Sequence, residues 1–115
     1  MKQRLLVMNG QRIVQSEHDG SWMNQKVGKA GALRPGIYHL YTAEKADKSK
    51  RYDGVIVHVD NDNVYQQIEK RFVMHSRQDF DGVPIIGSTK SISYDDQGKA
   101  VVWAEAVKLS RRASR

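Results

Sequence analysis

Short apolar runs alternate with polar turns along the whole chain. Arg4 to Met8 and Gln11 to Gln15 flank Asn9-Gly10. Asn-Gly supplies the two positive φ angles of a type I′ turn, so this stretch predicts a hairpin. Ser21 to Val27 follows Asp19-Gly20 as a weaker strand, and Gly28 to Pro35 reads as a loop. Gly36 to Thr42 sets Ile37, His39 and Tyr41 on one face and Tyr38 and Leu40 on the other. Ala43 to Lys50 is polar and reads as a short helix or a loop. Tyr52 to Asp60 is the strongest strand, with Val55, Val57 and Val59 pointing one way and Ile56 and His58 the other. Val64 to Ile68 and Arg71 to His75 read as a pair. Ser76 to Phe80 predicts one helical turn, capped by Ser76, with Asp79 near the positive end of its dipole. Thr89 to Tyr94 and Lys99 to Glu105 flank Asp95 to Gly98 as a last hairpin.

No window of about 12 residues sustains a helical apolar period. The pattern therefore predicts an all-β, mainly antiparallel fold. About seven or eight short strands would form a small closed or partly open β-barrel, with one or two short helical turns. Closure would hide sheet edges, which a small β protein has to manage. Trp22 and Trp103 are the expected core anchors.

The chain has 115 residues, enough for one domain. Residues 1–107 are expected to form it, and residues 108–115 to be a basic disordered tail. Net charge is +6, which first suggests nucleic acid, but its location changes that picture. Met1 to Arg34 carries +4, Pro35 to Val107 carries −2, and Lys108 to Arg115 carries +4. The centre is thus mildly acidic, and the basicity belongs to the two ends. The tail has one large apolar residue, Leu109, too little burial to offset the entropy of ordering it. With no cysteine, a disulfide framework, a thiolate zinc site and a Cys nucleophile are excluded. No apolar run approaches the roughly 18 residues of a membrane span, so no membrane insertion is expected. Arg4 to Met8 is too short for a leader's apolar region, and a reducing compartment is the plain expectation.

Candidate chemistry is sparse. His18, His39, His58 and His75 are dispersed, and none forms a pair one helical turn apart. His58-Val59-Asp60 puts a carboxylate near an imidazole, but a metal needs three or four converging ligands. Ser76 adjoins His75, yet neighbours in extended chain project apart, and there is no nucleophile elbow. Gly28-Lys29-Ala30-Gly31 lacks the preceding strand and following helix of a phosphate loop. No catalytic residue, metal or cofactor is assigned. Aromatic residues interleave with cations at Tyr65, Lys70, Arg71 and Phe72. With Lys108, Arg111, Arg112 and Arg115 they are the candidate nucleic-acid contacts.

From Tyr52 onward an ordered series of short motifs appears. These are Tyr52-Asp53-Gly54-Val55-Ile56, Val64-Tyr65-Gln66, His75, Pro84-Ile85-Ile86-Gly87, and Ile92-Ser93-Tyr94 followed by Gly98. The series resembles the KfrB-domain family of conjugative plasmids, most clearly over residues 52–102. The opening Leu5 to Gln15 and Leu33 to Tyr41 resemble short stand-alone plasmid proteins of the conjugal transfer TraO type. The resemblance implies Tyr52, Gly54, Gln66, His75 and Tyr94 as binding positions, and implies no catalytic residue. Gly54 is read as permitting a bulge and Gly87 a tight turn. Gln66 and His75 have two readings: hydrogen bonds bridging strands, or the lining of a recognition groove. Glu69-Lys70-Arg71 departs from the family, where a glycine-containing turn is expected.

Two functional readings follow. One is a non-enzymatic accessory protein of conjugal transfer or plasmid maintenance in the bacterial cytoplasm, bound to a plasmid-encoded or host protein. The other is a DNA- or RNA-binding β-barrel that uses its basic termini and surface aromatics. An enzyme would need His58 or His75 poised in a pocket. The oligomeric state is not fixed by the residues.

Overall fold

The computed structural model of the chain describes residues 2–104. They form ten strands in two sheets. The first sheet holds β1 (Gln3–Met8), β2 (Gln11–His18), β3 (Ser21–Lys29) and β4 (Gly36–Tyr38), in the order β3-β2-β1-β4. The second holds β5 (Glu44–Lys45), β6 (Tyr52–Val59), β7 (Asn63–Ile68), β8 (Arg71–Ser76), β9 (Thr89–Tyr94) and β10 (Ala100–Ala104). Its order is β10-β9-β6-β7-β8-β5. Every pairing is antiparallel except β5 with β8.

The all-β, antiparallel expectation holds. The arrangement is an open one, because each sheet keeps two edges: β3 and β4 in the first, β10 and β5 in the second. The turns explain the hairpins. Asn9 and Gly10 take φ 53° and 74°, and Asp19 and Gly20 take 51° and 83°, as primed turns require. Asp95 closes the last hairpin by accepting from the backbone N–H groups of Gln97 and Lys99.

Several local expectations are corrected. Only Gly36–Tyr38 is strand; Leu40–Thr42 forms a 3-10 turn. Glu44–Lys45 is a short strand and not a helix. The turn Arg77–Asp79 exists, but Ser76 makes no side-chain capping bond. Strand β3 continues to Lys29, into the stretch read as a loop. Trp103 is 48% exposed and Trp22 is half-buried, so neither anchors the core.

The sheets share one core. Leu5, Val7 and Val14 of the first sheet pack against Val57, Tyr65 and Phe72 of the second. Tyr38 meets Phe72 edge-on at 6.2 Å between ring centres. A second core, Ile56, Val64, Phe80 and Ile92, lies on the opposite face of the six-stranded sheet. One irregularity feeds both cores. Ile56 faces Gln66 and His58 faces Tyr65, so Val57 is an extra residue in β6. The bulge sets Val57 beside Val55 in the first core and returns Val59 to the side of Ile56. Simple alternation over residues 52–60 is thus broken at Val57, and Gly54 is not the bulge.

Gly54 serves a different purpose. A Cβ there would lie 1.9 Å from the carbonyl oxygen of Gln67 and 3.0 Å from the Ile68 side chain. Gly87 takes φ 94°, the expected turn, against Ala32. The turn between β7 and β8 works without glycine because Glu69 itself takes φ 56°.

Gly54→Ala should lower stability by about 3 kcal/mol, the upper range for overpacking, because the clashing atom is backbone. Gly10→Ala meets nothing within 4 Å and should cost only about 1 kcal/mol, from its positive φ. Urea unfolding of the two variants checks the order; equal losses would contradict it.

Candidate functional site

The five family-pattern positions converge on one face of the six-stranded sheet. Gln66 sits on β7 with 0% of its surface exposed, and His75, also 0% exposed, sits next to it on β8. The Gln66 amide nitrogen donates to the carbonyl of Lys90 on β9 at 2.9 Å. It also reaches the carbonyls of Tyr52 and Gly54 on β6, each at 3.2 Å. This fixes the orientation of the carboxamide, because all three neighbours of its nitrogen are acceptors. The Gln66 Oε1 is then the acceptor for His75 Nε2, 2.9 Å away. His75 Nε2 must therefore carry the proton. Its Nδ1 is bare and accepts from the Tyr94 hydroxyl on β9 at 2.5 Å.

Aromatic rings seal the network. His75 is stacked on Tyr94, and meets Tyr52 edge-on at 5.5 Å and Phe80 edge-on at 6.0 Å. Burial holds His75 well below its ordinary value, at about 4, against the opposing pull of the Asp79 charge. Burial also raises Tyr94, with Asp79 and Tyr52 adding to the effect. Lys48 bridges the rim, 3.0 Å from Asp79 and 5.4 Å from the centre of the Tyr94 ring. A recess of about 180 Å³ lies here, lined by Lys48, Asn63, Asp79 and Tyr94 among others.

Chemically, this arrangement ties strands together. Both ring nitrogens of His75 are engaged, and Gln66 spans β6, β7 and β9 through one carboxamide. The strand-bridging reading of Gln66 and His75 matches this geometry. Their polar atoms face each other and the backbone, not a groove.

The remaining candidates are dispersed. His58 is buried and held below its ordinary value, mainly by burial, with Asp60 opposing. Asp60 does not pair with it; its Oδ1 accepts from the N–H groups of Asp62 and Asn63 in the turn. Among the described residues no group of three or more His, Asp or Glu is placed to hold a metal ion. The proposed stacking pair is corrected: Tyr65 and Phe72 are each 8% exposed and belong to the shared core. Lys70 and Arg71 are exposed, without an exposed ring from that pair beside them. Lys108, Arg111, Arg112 and Arg115 lie outside the described residues.

The surface holds what the sequence reading missed. The Arg4 guanidinium lies over the Trp22 ring at 4.2 Å, and Lys2 over Tyr41 at 5.3 Å. Arg4 also donates to Gln15, and Gln15 to Asn24. The signal was the alternation within β1 to β3, which places Arg4, Gln15, Trp22 and Asn24 on the face away from Leu5, Val7 and Val14; Tyr41 comes from the 3-10 turn Leu40–Thr42.

Comparison with known proteins gives two findings. A family model described as the KfrB Domain matches residues 51–103, a span that contains all five positions of the network. Protein TraB from Escherichia coli is 35% identical over 119 residues, covering 97% of this chain and 82% of that protein.

The network makes stability depend on pH. Folding keeps His75 neutral, so the unfolded chain binds more protons between about pH 4 and 6.5. Stability is full above that window and falls as pH drops through it, by about 3 kcal/mol at most. His58, lowered in the same direction, adds to the slope. Denaturant midpoints between pH 7 and 4 check this. His75→Asn should be less stable at pH 7 and show a shallower slope; an unchanged slope would contradict the account.

Proposed function

The chain belongs to the KfrB-domain family, and we propose that it is a non-enzymatic, plasmid-encoded accessory protein of conjugal transfer or plasmid maintenance. It acts as a β binding module through protein–protein contacts. The observation that carries this reading is the closure of the Gln66–His75–Tyr94 network. The polar residues of the family pattern are used up in joining strands. A proton-transfer step needs a group within reach of substrate, and His75 is fully buried with both nitrogens engaged. Exposed apolar residues remain on the first sheet, among them Met8, Val27 and Ile37, which suits recognition of another protein.

The KfrB resemblance and the TraB relative support a plasmid setting, and the bacterial cytoplasm is the matching location. No helix among the described residues is long and apolar enough to cross a membrane. The nucleic-acid reading loses its stacking pair, since Tyr65 and Phe72 lie in the core.

The test is affinity capture of the tagged full chain from cells that carry its own plasmid. Salt of about 300 mM suppresses non-specific charge contacts. A discrete plasmid-encoded or host protein, absent from a control β protein of equal charge, is expected. Recovery of nothing above that control would overturn the reading.

A further inference from the structure

The first sheet buries only one of its faces. Leu5, Val7 and Val14 point into the shared core, so the residues alternating with them point outward. On that outer face an apolar row crosses all four strands in register. Ile37 of β4 faces Leu6 of β1, Leu6 faces Ile13 of β2, and Ile13 faces Val27 of β3. The ends of the row, Ile37 and Val27, are 49% and 55% exposed. Leu6 and Ile13 belong to neither core cluster. Met8, 43% exposed, extends the row on one side. The ladder Arg4–Gln15–Asn24 borders it on the other. Contiguous apolar surface of this kind marks an interaction site.

Charge indicates what covers it. Lys2, Arg4 and Lys29 rim the row, with Glu17 as the acidic residue on the same face. All four ion pairs among the described residues lie on the other sheet and its loops, between residues 44 and 99. The rim cations are therefore without carboxylate partners among the described residues. A second copy of the chain would set these cations against their own counterparts. A nucleic acid would supply phosphates, but the row itself is aliphatic, and the rings beside it, Trp22 and Tyr41, are already covered by Arg4 and Lys2. An acidic protein segment with its own apolar stripe satisfies both features.

Length narrows the shape. Four strands span about 14 Å across the sheet, the length of roughly ten residues of α-helix. We propose that the outer face of the four-stranded sheet docks an amphipathic helix of a partner protein. That helix's apolar stripe lies along Ile37–Leu6–Ile13–Val27, and carboxylates flanking the stripe meet Arg4 and Lys29. This rests on the protein-binding reading above and names its surface.

The probe is a synthetic 14-residue helical peptide with Leu at positions i, i+3, i+4 and i+7 and Glu elsewhere. Its comparators are the same peptide with Lys for Glu and a DNA duplex of similar length. Each is titrated into the full chain with methyl NMR as the readout, at about 50 mM salt where screening is weak. The Glu peptide should shift the methyls of Leu6, Ile13, Val27 and Ile37, and bind at least tenfold tighter than the Lys peptide. The variant carrying Val27→Asp and Ile37→Asp, checked for folding by circular dichroism, should lose at least tenfold. Equal binding of both peptides would overturn the proposal, as would shifts confined to the other sheet. Stronger binding of DNA at these methyls, or their shifting with chain concentration alone, would also overturn it. In the cell, a folded double variant that still captures the wild-type partner sinks this face and leaves the protein-binding reading standing. Absence of any partner for the wild type sinks the reading itself.

Discussion

The six-stranded sheet depends on one buried carboxamide. Gln66 carries no exposed surface, so each of its polar atoms must find a partner inside the protein. It does so by reaching from β7 across β6 to β9, and by accepting from His75 on β8. Such a tie is worth about 1 kcal/mol net per bond when complete. It is costlier to break than to omit, because a lone buried donor or acceptor keeps its desolvation penalty. The network therefore specifies register as much as it adds stability. A slip of one residue would send Gln66 and His75 to the other face, into the apolar core shared with the first sheet.

From that tie the division of labour between the faces follows. One face of the six-stranded sheet sets a polar knot, ringed by Tyr52, Phe80 and Tyr94, beside the second apolar core of Ile56, Val64 and Ile92. The other is apolar and packs on the four-stranded sheet. Gly54 stands between them, where β6 approaches Gln67 too closely for a side chain. The four-stranded sheet is then left with one face buried and one outward. The outward face carries the apolar row and the cations Lys2, Arg4 and Lys29, which have no carboxylate partner among the described residues. Of the N-terminal section's cations, Lys2, Arg4 and Lys29 lie on that face, whereas the ion pairs Lys48–Asp79, Arg51–Asp53, Arg71–Glu44 and Lys99–Asp81 belong to the six-stranded sheet and its loops.

Much of the fold could be read from local signals, because those signals are themselves local physics. Asn9-Gly10 and Asp19-Gly20 fix their turns through backbone conformation alone. The five family-pattern positions are brought together in space as one network, though spacing alone did not reveal that Gln66 would span three strands. The misreadings arise where tertiary packing decides. Tyr65 and Phe72 alternate correctly, but only the docking of the first sheet shows that their side is inside. The Val57 bulge is hidden in a continuous apolar run, where Val55, Ile56 and Val57 would suit either face. Leu40–Thr42 has a strand-like composition, yet the chain leaves β4 there and turns. Of the closed and partly open arrangements expected, the structure takes the open one, a choice that depends on edge pairing between sheets and leaves no mark on a single strand.

The network turns on a proton at one atom, His75 Nε2, and that atom can be observed. Long-range ¹H–¹⁵N NMR of the full chain with ¹⁵N-labelled histidine, near pH 7, reports which ring nitrogen of His75 is protonated. The network requires a neutral ring with the proton on Nε2, donated to Gln66, and a bare Nδ1 that accepts from Tyr94. A proton on Nδ1, or a ring that is charged at that pH, would contradict it.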